Sequence, residues 1–382
     1  MAKKKKHKVR VAFNKNRSKR RRQNDLTRQI DDEHVRGEHT DDLASTERFS
    51  GKGELTRNRT IISSAESSNG DDNVVLDVDD ANCFNGRVLS ATGLNSIVQD
   101  DEGNRYECTV RRLVRTMARD ARNAVVAGDS VLFQRLDDQY GVIERVNPRE
   151  RVLSRGSQRR EHIIVANIDQ IVIVMSAAEP RLKPNLIDRL LISAEKGEVP
   201  ALICINKVDL IDRGELQTIA GLYSRIGYQV IMTSTMTGEG IEYLRMHLAG
   251  RESVLTGQSG VGKSSLLNTV QPGLGLATAN VSRAHEKGRH TTRRAQLLPL
   301  NFGGWVFDTP GIRQLELWDV IPEEVEGFFI EFRPFVAKCK FPDCSHIHET
   351  GCGVKLAVAN GLISSARYES YYKIVDDFAD IR

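Results

Sequence analysis

Along residues 84–155, apolar and polar positions alternate in short runs: GRVLSA, SIVQD, RYECTV, DSVLFQRL and GVIERV. Turn signals separate them, among them Asp101-Glu102-Gly103-Asn104 and Asp137-Asp138. A period of two marks half-buried strands, and several short strands at this spacing predict a small all-β barrel. The OB type is the expectation, since that fold recurrently binds oligonucleotides. Arg87, Arg105, Arg111, Arg112, Arg115, Arg119 and Arg122 are expected to give it a basic surface for RNA.

From Ile163 the pattern changes. IIVANIDQIVIVMSA reads as buried strand, 184–196 has helical periodicity, and PALICIN is again a buried strand. QVIMTS, SVLTG and GWVFDTP read as strand endings, each followed by a loop. Strands alternating with helices predict a doubly wound α/β parallel sheet, with ligands gathered at the carboxyl ends of its strands. Near the end of the chain ARYESYYKIVDDF reads as a helix, in which Tyr368, Tyr371 and Tyr372 are expected to pack.

Composition refines this picture at the N-terminus. The chain has 382 residues, enough for two or three domains, and a net charge of +4. Residues 1–22 hold twelve Lys and Arg and no acid, leaving 43 bases against 51 acids elsewhere. Such a block cannot collapse on itself, and it reads as a disordered arm able to neutralise phosphates. Residues 23–80 are polar and almost free of aromatics, a linker composition. No apolar run approaches the roughly 20 residues of a spanning helix, so a cytoplasmic, monomeric protein without a membrane partner is expected.

Three short motifs carry the chemistry. GQSGVGKS at 257–264 lies between a strand and a helix, where Gly257, Gly260 and Gly262 let backbone amides of Gln258, Ser259, Val261 and their neighbours close around phosphates. Lys263 then meets the β- and γ-phosphate charge, Ser264 offers a hydroxyl to Mg²⁺, and Ser265 continues the helix. DTPG at 308–311 ends a strand, with Asp308 placed for Mg²⁺ and the Gly311 amide for the γ-phosphate. In the basic loop between them, Thr291 or Thr292 can complete the Mg²⁺ shell.

NKVD at 206–209 selects the base. Asp209 can accept from both the ring N–H and the exocyclic amine of guanine, while Asn206 and Lys207 brace neighbouring loops. Adenine would leave that carboxylate unpaired. Thr233, Ser234 and Thr235, closing the next strand, fit a second base-contacting loop. In an ordinary GTPase the phosphate loop comes first and NKxD late; here the order is reversed.

Of the six cysteines, Cys339, Cys344 and Cys352 crowd together with His346 and His348. Three thiolates and one imidazole satisfy a closed tetrahedral Zn²⁺ site. This spacing argues for reduced thiols rather than disulfides.

The permuted order, GQSGVGKSS, GRHTT, DTPG and the cysteine cluster together resemble the circularly permuted ribosome-biogenesis GTPases of the RsgA (YjeQ/YloQ) family, over residues 84–382. The resemblance implies an OB barrel, a permuted GTPase domain and a zinc-binding domain, in that order. It implies slow GTP hydrolysis, stimulated by the small ribosomal subunit, late in that subunit's assembly. It favours His346 over His348 as the zinc ligand. Ile312 stands where Ras-like enzymes keep a water-orienting Gln, and the resemblance points to His290 as the catalytic group that organises water instead.

The organisation expected is therefore a multidomain chain: a disordered basic tail and linker (1–80), an RNA-binding OB barrel (81–155), a permuted GTPase domain (156–320) and a zinc-binding helical domain (321–382). A GTP-regulated RNA-binding module in which hydrolysis is incidental is the competing expectation. An ATP-using phosphate-loop enzyme is opposed by NKVD.

Overall fold

The computed structural model describes residues 7–14, 56–63, 82–93, 95–112, 114, 124–157, 160–276, 295–308 and 320–379. Two units can be separated, Met1–Asn82 and Cys83–Arg382. In the first, β1 (His7–Asn14) pairs antiparallel with β2 (Thr56–Ser63), Val9 opposite Ile61. Two strands are thus described inside the segment read as tail and linker. Val9, Val11 and Phe13 alternate with polar residues there, a strand signal that the density of lysine and arginine overshadows.

The second unit opens with five strands, β3 (Phe84–Thr92), β4 (Asn95–Asp100), β5 (Arg105–Val110), β6 (Ser130–Arg135) and β7 (Tyr140–Val146). Their order is β3-β4-β5-β7-β6, and pairing of β3 with β6 closes a barrel of the expected OB type. The β5–β7 pair is parallel and the others antiparallel. Strict alternation puts Tyr106, Cys108 and Val110 of β5 inside, with Val88, Val98, Val131, Phe133 and Ile143 from the other strands. The interior is tight: a Cβ at Gly86 would lie 2.4 Å from a Val98 methyl.

A hairpin of β8 (Val152–Ser157) and β9 (Arg160–Ala166) leads into the α/β sheet. The single apolar run IIVANIDQIVIVMSA proves to be two strands. β9 ends at Ala166, Asn167 turns the chain with φ of 56°, and β10 (Gln170–Ser176) follows, buried at every position. Then come helix α1 (Pro184–Lys196), β11 (Ala201–Asn206), helix α2 (Arg213–Arg225), β12 (Gln229–Thr233), helix α3 (Ile241–Leu248), β13 (Glu252–Thr256) and helix α4 (Lys263–Val270). An antiparallel β14 (Gln296–Pro299) and β15 (Trp305–Asp308) complete the sheet.

The parallel strands lie in the order β12-β11-β10-β13-β15. Strand order reverses between β10 and β13, which makes their carboxyl ends the crevice where such sheets hold ligands. A bridge from Gln296 of β14 to Ser90 of β3 joins sheet and barrel into one run of eleven strands. Arg87 lies at this seam and pairs with Glu252 of β13, while Arg111 pairs with Glu144 of β7. A carboxylate offsets each of these charges, although Arg111 stays exposed, so two pairings that only the tertiary fold reveals reduce the basic charge expected of this surface. Arg115, Arg119 and Arg122 lie outside the described residues.

The C-terminal segment packs Phe329, Phe332, Val354, Ile363, Tyr371 and Ile374 around its own small core, with Ile192 of α1 reaching in. Helices α5 (Gly353–Ala359) and α6 (Ser365–Ala379) frame it. Tyr371 is buried and Tyr368 half-buried, as expected of packing residues, but Tyr372 faces solvent. Among the described residues no helix is long and apolar enough to cross a membrane.

Candidate nucleotide site and metal centre

The phosphate loop leaves β13 at Thr256 and enters α4 at Lys263. Two of its glycines are sterically required. A Cβ at Gly257 (φ 139°) would sit 2.0 Å from the Val174 carbonyl oxygen of β10, and one at Gly262 (φ 97°) 2.5 Å from Nδ2 of Asn206. The loop thus presses against the central strand on one side and NKVD on the other. Val261 is buried, whereas Ser259 and Gly260 face solvent. Lys263 Nζ folds back to donate to the carbonyls of Gly257 (2.6 Å) and Gln258 (2.9 Å), placing an ammonium over the loop at a helix N-terminus. A helix N-terminus with a lysine above it favours anionic oxygens. Ser264 and Ser265, in the first turn of α4, are half-buried.

NKVD begins on the last residue of β11. Asn206 is buried, its Nδ2 donating to the Val261 carbonyl at 2.8 Å and its Oδ1 accepting from the Thr233 hydroxyl at 3.1 Å. Lys207 takes a left-handed conformation (φ 63°) and donates from Nζ to the carbonyl of Glu179, 2.5 Å away. Asp209 is exposed, and its Oδ1 accepts from Ser234 Oγ. That hydroxyl accepts in turn from the amides of Met236 and Thr237, both at 3.2 Å, which shapes the loop beside half-buried Thr235. Asp308 closes β15, which runs parallel beside β13, so its backbone ends at the same edge as the phosphate loop. The sheet therefore brings together 206–209, 234–235, 257–265 and Asp308 from four strand ends.

A second cluster lies in the C-terminal segment. The donor atoms of Cys339, Cys344, His346 and Cys352 all lie within 4.8 Å of one another. His346 Nδ1 faces the sulfurs of Cys352 (3.3 Å) and Cys339 (3.5 Å), while Nε2 meets Glu326 Oε2 at 2.5 Å. A carboxylate on the outer nitrogen fixes the ring and its tautomer, the usual support of a metal-bound imidazole. Backbone amides of Gly353 and Lys355 point at the sulfurs of Cys339 and Cys352. The hydroxyls of Tyr368 and Tyr371 hold the carbonyls of His346 (2.7 Å) and Ser345 (2.8 Å). His348 is exposed and outside the cluster. A Cys₃His set held this closely fits one tetrahedral metal ion.

The RsgA GTPase family model matches residues 146–318. A small ribosomal subunit biogenesis GTPase RsgA of Sodalis glossinidius is 41% identical over 306 residues, covering 78% of this chain and 86% of that protein. The chain belongs to the RsgA GTPase family. Among solved structures of RsgA-type proteins, YjeQ from Thermotoga maritima matches with TM-score 0.65 and 38% identity, over 78% of this chain and 99% of that one. YloQ, described as a circularly permuted GTPase, matches with TM-score 0.62 and 30% identity, over 80% and 98%.

Membership in the RsgA family accounts for the permuted motif order. His290, Thr291, Thr292, Gly311 and Ile312 lie outside the described residues. Thr233, read from the sequence only as part of the loop closing β12, has a buried hydroxyl that orients Asn206. Sequence reading missed Glu179, which takes part through its carbonyl. No signal marks it, since any residue supplies a carbonyl. Glu326 was also missed, because it precedes the first cysteine by a stretch with no motif of its own.

Proposed function

We propose that this RsgA-family chain hydrolyses GTP during maturation of the small ribosomal subunit and that the subunit stimulates the reaction. The observation that carries the reading is the Asn206 to Val261 hydrogen bond, which joins a guanine-reading motif to a phosphate loop in one site. The names of the relatives supply the subunit as partner. That partner implies work in the cytoplasm.

In this reading the amides of 258–264 bind the phosphates and Lys263 Nζ leaves the two loop carbonyls for the β- and γ-oxygens. Asp209 accepts the guanine N–H donors, with Ser234 holding it and Thr235 beside the base. Ser264 and Asp308, with Thr291 or Thr292, would hold Mg²⁺, which offsets charge on the phosphates. Water attacks the γ-phosphorus, the bond to the β-phosphate oxygen breaks, and GDP and phosphate leave. Ile312 has no group with which to direct that water; the resemblance to the family points to His290 as the residue that orients it, and the Gly311 amide senses the γ-phosphate. Cys339, Cys344, His346 and Cys352 would hold a structural Zn²⁺. The barrel and the zinc segment contact ribosomal RNA, and the chain acts as a monomer.

GTP turnover measured with and without purified small subunits tests this. Strong stimulation is expected, and turnover indifferent to subunits would overturn it. Release from the subunit with GTP and with a non-hydrolysable analogue tests the binding-module reading, which equal release rates would favour.

A further inference from the structure

A buried ionic junction lies apart from every motif above. Asp188 of α1 is 1% exposed and Arg367 of α6 is 2% exposed. Arg367 Nη1 donates to Asp188 Oδ1 at 2.5 Å, while its Nε and Nη2 donate to the two oxygens of Glu331 at 2.6 and 3.1 Å. The Tyr223 hydroxyl of α2 sits 2.7 Å from the same Asp188 oxygen and 3.2 Å from the Pro184 carbonyl. The guanidinium lies 4.3 Å over the Phe329 ring. Each of these elements leads somewhere specific. α1 follows the turn whose Glu179 carbonyl holds Lys207, and α2 starts at Arg213, capped by Asp212, just past Asp209. Arg367 and Glu331 belong to the metal-binding segment.

An apolar junction of the same volume is often as stable, but it would fix the helices without directional bonds. A planar fork bonded to two carboxylates opposes sliding, because a shift of about 1 Å breaks its hydrogen bonds.

We propose that Arg367 is a positioning residue for the guanine-reading loop. It is buried among Asp188, Glu331 and Phe329, outside the nucleotide motifs. Through Asp188 and Tyr223 it fixes α1 against α2, and so sets where Asp209 stands relative to the Lys207 anchor on Glu179. The metal-binding segment thereby completes the guanine site from behind. The inference rests on the assignment of Asp209 to guanine.

The test uses the full-length, zinc-loaded protein and compares GDP with inosine diphosphate, which lacks the exocyclic amine. The variants are Arg367→Lys, and Arg367→Met paired with Asp188→Asn and Glu331→Gln, which leaves no unpaired charge at the junction. Folding is checked by melting temperature, and hydrogen exchange is followed at 207–211. The expected result is a loss of about tenfold in GDP affinity, with a smaller loss for inosine diphosphate, and faster exchange at 207–211. An unchanged ratio of the two affinities in a folded variant overturns the proposal. If the paired variant does not fold, the Arg367→Lys ratio decides. Should the wild-type protein itself fail to prefer GDP, the Asp209 assignment is lost, and hydrogen exchange alone then decides: unchanged exchange overturns the positioning role, faster exchange supports it.

Discussion

Asn206 Nδ2 lies 2.8 Å from the carbonyl oxygen of Val261, so the motif proposed to read the base also supports the loop proposed to hold the phosphates. Thr233 keeps the amide the right way round by donating to its other end. Asn206→Asp would place an acceptor against that carbonyl inside the protein. A lost buried hydrogen bond and an unsatisfied carbonyl cost about 1–3 kcal/mol. GTP and GDP affinity are both expected to fall about tenfold or more, measured with a fluorescent nucleotide, and an unchanged affinity would show that the bond does not support the loop.

Gly262 separates close contact from backbone strain. Gly262 and Gly273 have nearly the same φ, 97° and 100°, but a Cβ at Gly273 would meet nothing within 4 Å. Gly273→Ala is expected to lower stability slightly and leave nucleotide binding intact. Gly262→Ala should abolish binding, because it displaces Asn206 as well. Nucleotide titration of the two variants side by side checks this, and equal behaviour would argue that strain alone matters.

At the metal centre, elemental analysis should find one zinc per chain. Glu326→Gln keeps the shape beside His346 but removes the charge behind the ring. Such outer partners are worth about 10–100-fold in metal affinity. Zinc loss to a chelator should therefore occur at lower chelator concentration than in the parent, with a lower melting temperature once the metal is gone.

The barrel has an acid-sensitive tie at Asp100. Burial opposes its ionisation, yet the side-chain and backbone donors of Asn104, the Arg135 charge and the Glu102 amide outweigh it and hold the carboxyl below its usual value. A carboxyl depressed in the folded state contributes stability above its unfolded value of about 3.9 and loses it as pH falls through the folded value. Asp100→Asn should thus be less stable than the parent near neutrality, and the gap should close below about pH 4. Denaturant midpoints across pH read this, and a gap independent of pH would remove Asp100 from the account.

His290 is tested by turnover. His290→Ala should bind GTP normally but lose subunit-stimulated hydrolysis by about 10²–10⁴-fold, the usual worth of a positioned proton acceptor. Stimulated turnover at the parent rate would assign the water to another group.

How much of this was legible in the sequence follows from how local each feature is. GQSGVGKS, NKVD and Cys339-x4-Cys344-x-His346-x5-Cys352 are contiguous, because a tight turn or a metal knuckle is built by neighbours along the chain. The helix at 184–196 was readable for the same reason. Arg87 was misread because its partner Glu252 is brought to it only when the barrel and the sheet join at Ser90 and Gln296. The turn at Asn167 was hidden because both flanking strands are apolar and only the short Asn167-Ile168-Asp169, turned by one left-handed residue, divides them. Asp188 and Arg367 carry no pattern at all: charged residues on helices read as solvated faces until another helix covers them.

The place of β13 has a consequence for the protein's making. It pairs with β10, which already lies beside β11, although the whole of β11, β12 and three helices intervene in the chain. Chains emerge and fold from the N-terminus onward. The barrel strands and the strands leading into NKVD and Ser234 are therefore synthesised first, with the edge of β10 left open until β13 arrives. A nascent chain whose phosphate loop has not yet been made has no complete site for GTP; the nucleotide can act as a ligand, and as a stabiliser, only once β13 has joined the sheet.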